Sequence, residues 1–313
     1  MARAFVFPGQ GSQAVGMGRL LHESFQTARD VFEEVDEALK QRLSKLMFEG
    51  PESELTLTEN AQPALMTVSL AAYRVLAKDG AMALPKGADL VAGHSLGEYS
   101  ALAAAGTFTL ADTARLLKTR GQAMQKAVPV GEGAMAALLG VELAQAETIV
   151  KDAAEDETLA LANDNAPGQV VVSGHTAAVE RAVKLAQVQG GARAIMLPVS
   201  APFHCSLMRP AADAMAEALA KVSMEAPAVP LVANVTASAV SDVLAIRNLL
   251  IEQVTARVRW RECVLALKEA QVDRLVEIGS GKVLTGLARR IARELDAVSL
   301  QTPADIEAFL KTV

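Results

Sequence analysis

Ala88-Asp89-Leu90-Val91-Ala92-Gly93-His94-Ser95-Leu96-Gly97-Glu98-Tyr99-Ser100-Ala101-Leu102 is the stretch that decides how this chain is read. Its first five residues are rich in apolar side chains and read as a buried strand. From Glu98 through Ala105 the composition favours helix. A serine between such a strand and such a helix sits on a sharp turn with its hydroxyl pointing outward. Glycines two before and two after it are needed because side chains there would clash as the chain reverses. The N-terminus of the following helix offers unpaired N–H groups to a developing oxyanion. G-x-S-x-G alone is a common pattern, and an ordinary glycine-rich turn is the alternative. The strand–turn–helix setting favours a nucleophilic Ser95.

Outward from this turn the pattern is an alternation of strands and helices. Met1-Ala2-Arg3-Ala4-Phe5-Val6-Phe7-Pro8 reads as a first core strand, and Gly9-Gln10-Gly11-Ser12-Gln13 as a glycine-rich loop. Helical patterning follows over 17–46, and an apolar helix over 63–77 precedes the strand of the turn. Thr109-Leu110-Ala111-Asp112 resembles a capping box that opens a helix to about residue 127. These elements predict an α/β sheet domain. The texture then changes. A strand over 133–140, a helix over 143–154, strands over 159–162 and 169–173 with a turn at 163–168, a helix over 176–189 and a strand over 193–198 follow one another. That β-α-β-β-α-β order predicts a ferredoxin-like subdomain, inserted at 129–197 into a catalytic domain made of 1–128 and 198–313. The chain then returns to the larger domain with a helix over 205–221, a strand over 231–234, helices over 243–254 and 261–270, a strand over 274–277 and a terminal helical region.

Composition bounds the function. The chain has 313 residues, 51% of them hydrophobic and only 4% aromatic, so its core is aliphatic. A formal net charge of −6 argues against nucleic acid as the main partner. Cys205 and Cys263 match no metal or redox spacing. No run of about 18 apolar residues predicts a membrane span, and the apolar run at Met1–Pro8 is too short for a signal peptide. The expectation is a soluble cytoplasmic protein with no metal and no bound cofactor.

A serine hydroxyl needs a base, and four histidines are available. His22 lies among charged residues and reads as a solvated position. His94 adjoins Ser95, where neighbours on a tight turn diverge, and reads as structural. His175 opens a helix of the small subdomain. His204 follows the rigid loop Pro198-Val199-Ser200-Ala201-Pro202-Phe203, which lets a base reach across to the turn; a structural loop histidine is the alternative. No acidic residue between Ser95 and His204 suits the third place of a triad, so a backbone carbonyl could orient the imidazole instead. Arg120 lies at the edge of the apolar stripe formed by Leu117, Gly121 and Met124. From there it either holds a carboxylate in a cleft or snorkels at the surface. Gly279-Ser280-Gly281-Lys282 fails as a phosphate loop, because Val276 stands where the first glycine should be and Val283 replaces Ser or Thr. Asn234-Val235-Thr236 and Asn163-Asp164-Asn165 are rejected as a glycosylation and a calcium site.

Taken together, these residues resemble the malonyl-CoA:acyl carrier protein transacylases of fatty acid synthesis. The likeness spans essentially the whole chain. It is carried by Phe7-Pro8-Gly9-Gln10-Gly11-Ser12-Gln13, Gly93-His94-Ser95-Leu96-Gly97-Glu98, Arg120, Asn165-Ala166-Pro167-Gly168-Gln169, Pro202-Phe203-His204 and Gly279-Ser280-Gly281-Lys282-Val283-Leu284. The resemblance implies a large α/β-hydrolase-like domain with a ferredoxin-like insertion. It implies that Ser95 is acylated with His204 as base, that Gln10 and Leu96 give backbone N–H groups to the oxyanion hole, and that Arg120 binds the malonyl carboxylate. It further implies that the carbonyl of Gln253 orients His204. Malonyl-CoA and acyl carrier protein are the implied partners, with no membrane and no nucleic acid. Lys282, Arg289, Arg290 and Arg293 are the densest basic group for docking an acidic carrier, with Arg289 and Arg293 expected on one helix face; a solvated helix end is the alternative. A thioesterase or lipase, or a non-catalytic docking module, are the rival readings.

Overall fold

Among the described residues ten strands form, in chain order β1 (Arg3–Phe7), β2 (Leu90–Gly93), β3 (Gly133–Leu139), β4 (Leu159–Ala166), β5 (Gln169–His175), β6 (Arg193–Met196), β7 (Leu231–Val232), β8 (Ala239–Val240), β9 (Arg274–Ile278) and β10 (Asp296–Leu300). The structure is a computed structural model that describes residues 2–190, 192–199 and 201–313. Ser200, in the loop ahead of His204, lies outside the described residues.

The strands make two sheets, which establishes the mixed α/β class. The larger runs β10-β9-β1-β2-β7-β8, and its pairings are parallel except for the final β7–β8 pair. In β1, Phe5 and Phe7 enter one core and Ala4 and Val6 another, as a period of two requires when both faces are covered. Helices Gln26–Leu39, Thr58–Lys78, Leu110–Lys126 and Arg209–Ala220 fill the first side. Helices Trp260–Glu269 and Val283–Ile291 close the second, around a fully buried Trp260.

The smaller sheet is antiparallel, in the order β4-β5-β3-β6. Helices Leu143–Ala154 and Thr176–Gly190 cover one of its faces, over Ala136, Leu138, Val170 and Val172. The alternate residues Met135 and Val171 join the core of the larger sheet. One face of the small sheet therefore forms a wall of the larger domain.

Several boundaries differ from the sequence expectation. Residues 163–166 continue β4, and only Pro167-Gly168 turn the chain. The polar run stays extended because the outer edge of β4 finds a partner: Asp164 N–H donates to Val258 O, and Val258 N–H to Ala162 O. The 17–46 pattern is three helices, broken where Phe25 is extended and Lys40 takes φ 50°. The terminal region is interrupted by β10, because Ala292 is extended and ends the helix at Ile291. Arg293 consequently lies beyond that helix and does not share a face with Arg289. Thr109 caps its helix as expected, accepting from the Asp112 N–H at 3.1 Å.

Candidate active site

Three adjacent parallel strands deliver the site from their C-terminal ends, the usual place for ligand contacts in an open α/β sheet. Gln10 follows β1, Ser95 follows β2 and Asn234 follows β7. Ser95 takes φ 53°, a left-handed conformation that costs a non-glycine residue and persists only where its surroundings enforce it. The enforcement is visible. Asn234 accepts from the Ser95 N–H at 2.8 Å and donates to the Gly93 carbonyl at 2.7 Å, so one side-chain amide clamps both ends of the turn. A Cβ on Gly93 would lie 2.0 Å from the Gly97 backbone, and one on Gly97 would lie 2.2 Å from the Phe7 carbonyl oxygen. Both glycines are required by close backbone approach.

His204 also takes a left-handed φ, 59°. Its Nε2 lies 2.9 Å from Ser95 Oγ, and its Nδ1 lies 2.9 Å from the Gln253 carbonyl oxygen. A carbonyl only accepts, so Nδ1 carries the proton and donates it; Nε2 is then the acceptor for the Ser95 hydroxyl. Gln253 ends the helix Val243–Gln253, where the last carbonyls lack intrahelical partners, and one of them is free for this role. Burial, with the Arg120 charge adding to it, holds His204 down to about 3, against the smaller opposing effect of the Gln253 carbonyl. The imidazole is neutral at physiological pH.

Arg120 is 1% exposed, which removes the snorkelling alternative. Its Nη1 donates to Gln62 Oε1 at 2.9 Å, and its Nη2 to Gln253 Oε1 at 3.0 Å and Ser95 Oγ at 3.2 Å. The guanidinium carbon lies 5.8 Å from the centroid of the Tyr99 ring. Among the described residues, no carboxylate pairs with it. Gln10 and Leu96 line the same cavity of about 240 Å³, together with Ser95, Arg120 and His204. Among the described residues, neither the Gln10 nor the Leu96 backbone N–H donates to a protein acceptor. Leu96 precedes the helix Gly97–Ala104, whose first N–H groups, those of Gly97, Glu98 and Tyr99, bond back to the carbonyls of His94, Ser95 and Leu96.

Among the described residues, none of the remaining histidine rings hydrogen-bonds to Ser95. His94 contacts Asn165 Oδ1 through Nε2 at 2.9 Å and packs on Trp260, with burial lowering its pKa. His175 accepts the Thr158 N–H at Nδ1. His22 is half-buried rather than fully solvated, its ring packing edge-on against Phe32 and Phe48. Of the basic group near the C-terminus, Arg289 donates to the Ala297 carbonyl, and Arg290 to Gln169 and the Pro167 carbonyl. Among the described residues, no cluster of three His, Cys, Asp or Glu side chains is arranged to hold a metal ion, and no helix is long and apolar enough to cross a membrane.

Sequence reasoning missed four groups. Gln62, Asn234, Glu98 and the side chain of Gln253 form a buried polar network beneath the serine. The Gln253 amide donates to Glu98 Oε2 at 2.5 Å and to the Ser95 carbonyl at 3.1 Å. Glu98 stood within the quoted turn motif, and a carboxylate in an otherwise apolar helix was its one available signal.

A serine hydroxyl bonded to a neutral, carbonyl-held histidine, beside free amides at the strand ends of a parallel sheet, defines an α/β enzyme of the acyl-transfer class. The family described as acyl transferase domain matches residues 4–302. The chain belongs to that family and, within it, to the malonyl-CoA:acyl carrier protein transacylases. It is 46% identical over 308 residues to the malonyl CoA-acyl carrier protein transacylase of Escherichia coli, covering 98% of each chain. It superposes on the crystal structure of the acyl-carrier-protein-S-malonyltransferase from Bartonella henselae with a TM-score of 0.97 and 56% identity, covering 100% of this chain and 99% of the other. A malonyl-transacylase solved in complex with its type II PKS acyl-carrier protein matches at a TM-score of 0.96 and 41% identity, with 100% of both chains covered.

Proposed function

We propose that this chain transfers the malonyl group from malonyl-CoA to the phosphopantetheine thiol of acyl carrier protein, supplying fatty acid synthesis in the cytoplasm. The observation that carries the reading is Arg120: a buried guanidinium touching the nucleophile, with no carboxylate in direct contact among the described residues. The malonyl carboxylate sits one methylene from the acyl carbon, so an acyl group on Ser95 brings it to the guanidinium. Charge-assisted and bidentate bonding there offsets the loss of its water.

In the first half-reaction Ser95 Oγ attacks the thioester carbon of malonyl-CoA. His204 Nε2 takes the hydroxyl proton, and the Gln253 carbonyl stabilises the imidazolium through Nδ1–H. The Gln10 and Leu96 amides receive the oxyanion. The C–S bond breaks, the proton passes to the sulfur and coenzyme A leaves. In the second half the carrier thiol gives its proton to His204 and attacks the malonyl-serine ester, returning Ser95 to its hydroxyl form. A thioesterase or lipase would pass the acyl group to water, and an arginine beside the nucleophile would serve its substrates poorly.

The finer architecture belongs to the same proposal. Residues 1–128 and 198–313 read as an α/β-hydrolase-like catalytic domain carrying a ferredoxin-like subdomain at 129–197. The mostly parallel large sheet with helices on both faces supports the first, and the β-α-β-β-α-β order closing into an antiparallel sheet supports the second.

Brief mixing with malonyl-CoA or acetyl-CoA, followed by intact-protein mass spectrometry and digestion, tests the function. A malonyl adduct on the Ser95 peptide, transferable to carrier protein and absent from Ser95→Ala, is expected. Equal labelling by acetyl-CoA, or an adduct elsewhere, would sink the proposal.

A further inference from the structure

Glu98 is 1% exposed and no cation touches it among the described residues. Its Oε2 accepts from the Gln253 side-chain amide at 2.5 Å and from the Asn234 N–H at 3.3 Å. The other end of the Gln253 amide accepts from Arg120 Nη2 at 3.0 Å. Only one orientation of this amide satisfies its neighbours, because Arg120 only donates while Glu98 and the Ser95 carbonyl accept. Glu98 and Arg120 are thus buried opposite charges without direct contact, joined through one amide. A direct pair would set a carboxylate on the guanidinium; here only neutral groups, the Gln62 and Gln253 amides and the Ser95 hydroxyl, hold its two terminal nitrogens, and Nε has no partner among the described residues.

We infer that Glu98 is a positioning residue that balances Arg120 while the site is empty and takes up a proton when the malonyl carboxylate occupies the guanidinium. The inference rests on the reading of Arg120 as the carboxylate-binding residue. Two carboxylates sharing one cation in a dry site leave an excess negative charge, and protonation of the one without direct contact removes it. The malonyl carboxylate touches the guanidinium and stays ionised, so Glu98 is the group that protonates. Burial already pushes Glu98 up to about 7, against the lowering effect of the Gln253 and Asn234 bonds and of Arg120. The other titratable groups facing it are Tyr99 on its own helix and Cys263 on helix Trp260–Glu269. Burial raises both, so both are uncharged at neutral pH. No other group on these elements duplicates the titration.

The linkage has a definite sign. Above its pKa, Glu98 is ionised and opposes entry of a second carboxylate; below it, the opposition is gone. The ratio of malonyl to acetyl loading of Ser95 should therefore fall by up to about tenfold from roughly pH 6 to pH 8 in the wild-type protein. In Glu98→Gln, which keeps the acceptor for Gln253 and removes the titration, the ratio should be flat. Independently of any variant, weakly buffered wild-type protein with a pH indicator should take up protons on malonylation and none on acetylation, since thioester-to-serine exchange is itself proton-neutral. A pH-independent ratio in wild type, an equal slope in Glu98→Gln, or no proton uptake would each overturn the inference. Arg120→Ala separates this from failure of the underlying reading. If Arg120→Ala keeps its preference for malonyl, the Arg120 assignment is wrong; if it loses the preference while Glu98 shows no coupling, only the present inference falls.

Discussion

Arg120 and His204 lie close enough to oppose one another. The guanidinium helps hold the imidazole to about 3, so a substrate that neutralises Arg120 also restores basicity to His204. On the proposed reading of Arg120, malonyl does this and acetyl does not, which would make the same arginine a device against the wrong substrate. Arg120→Ala should lower malonyl transfer at least about tenfold, while acetyl transfer holds or rises as the repelling charge is removed. Lys at this position should restore little, because it keeps the charge and loses the planar fork. A parallel fall with both acyl donors would make Arg120 purely structural. Removing the proposed base, by His204→Ala, should slow acylation about 10²- to 10⁴-fold in single-turnover assays; acylation at the normal rate would mean that another base operates. The low His204 pKa adds a pH signature. Wild-type acetyl loading should stay flat from roughly pH 5 to pH 8, where an unshifted histidine near 6.5 would lose activity on the acid side. An acid limb near 6.5 would contradict the burial argument.

The strand–turn–helix around Ser95 shows why some of the site was legible in the sequence and some was not. The turn is a local device: Gly93, Ser95 and Gly97 sit within five residues, and their spacing follows from backbone clash. His204 was reachable because histidines are few and its loop is stiffened by Pro198 and Pro202. The clamp that holds the turn was not legible, since Asn234 arrives from 139 positions away and Gln253 from 158. Arg120 sat at the edge of an apolar stripe, and its burial depends on Gln62 and Gln253, which helical spacing does not report. The run Asn163-Asp164-Asn165 has turn composition yet is strand, because a partner edge at Val258 overrides propensity. These contrasts single out Asn234. Asn234→Ala should leave the sheet intact, since the strand partners of β7 are backbone groups, but release the Ser95 turn. Acylation should fall by about 10²-fold or more with little change in the far-ultraviolet spectrum, as expected when a misplacement of about 1 Å reaches the nucleophile. An Asn234→Ala protein of normal acylation rate would show that the glycines alone hold the turn.

The two sheets meet at the cleft, and their seam is partly apolar, at Met135 and Val171, and partly polar. Met135 and Asn163 of the small sheet line the cavity that holds Ser95 and His204, so the walls of the site belong to both units. The seam is fixed by the parallel bridge between Asn163 and Val258 and by Arg261, whose Nε donates to Asp164 Oδ2 at 3.0 Å and whose Nη2 lies 2.9 Å from the same oxygen. The Asp164 side chain is 1% exposed and that of Arg261 23%. Burial raises the Asp164 carboxyl, and Arg261 opposes that rise. Such a pair is poor as a net source of stability, yet removing one partner strands the other. Arg261→Ala leaves a buried carboxylate without its cation, and should lower stability at neutral pH by about 2–4 kcal/mol, the lower end reflecting the partial exposure of Arg261. Arg261→Ala with Asp164→Asn should recover part of that loss, because the stranded charge is gone. Denaturant unfolding of wild type, both single variants and the double variant supplies the full cycle. The same set assayed for acylation separates fold from site: if the seam sets the cleft, Arg261→Ala should raise the KM for malonyl-CoA well before it unfolds, through displacement of Asn163 and Met135. An Arg261→Ala protein with wild-type stability and wild-type KM would mean that apolar packing of Met135 and Val171 alone joins the sheets.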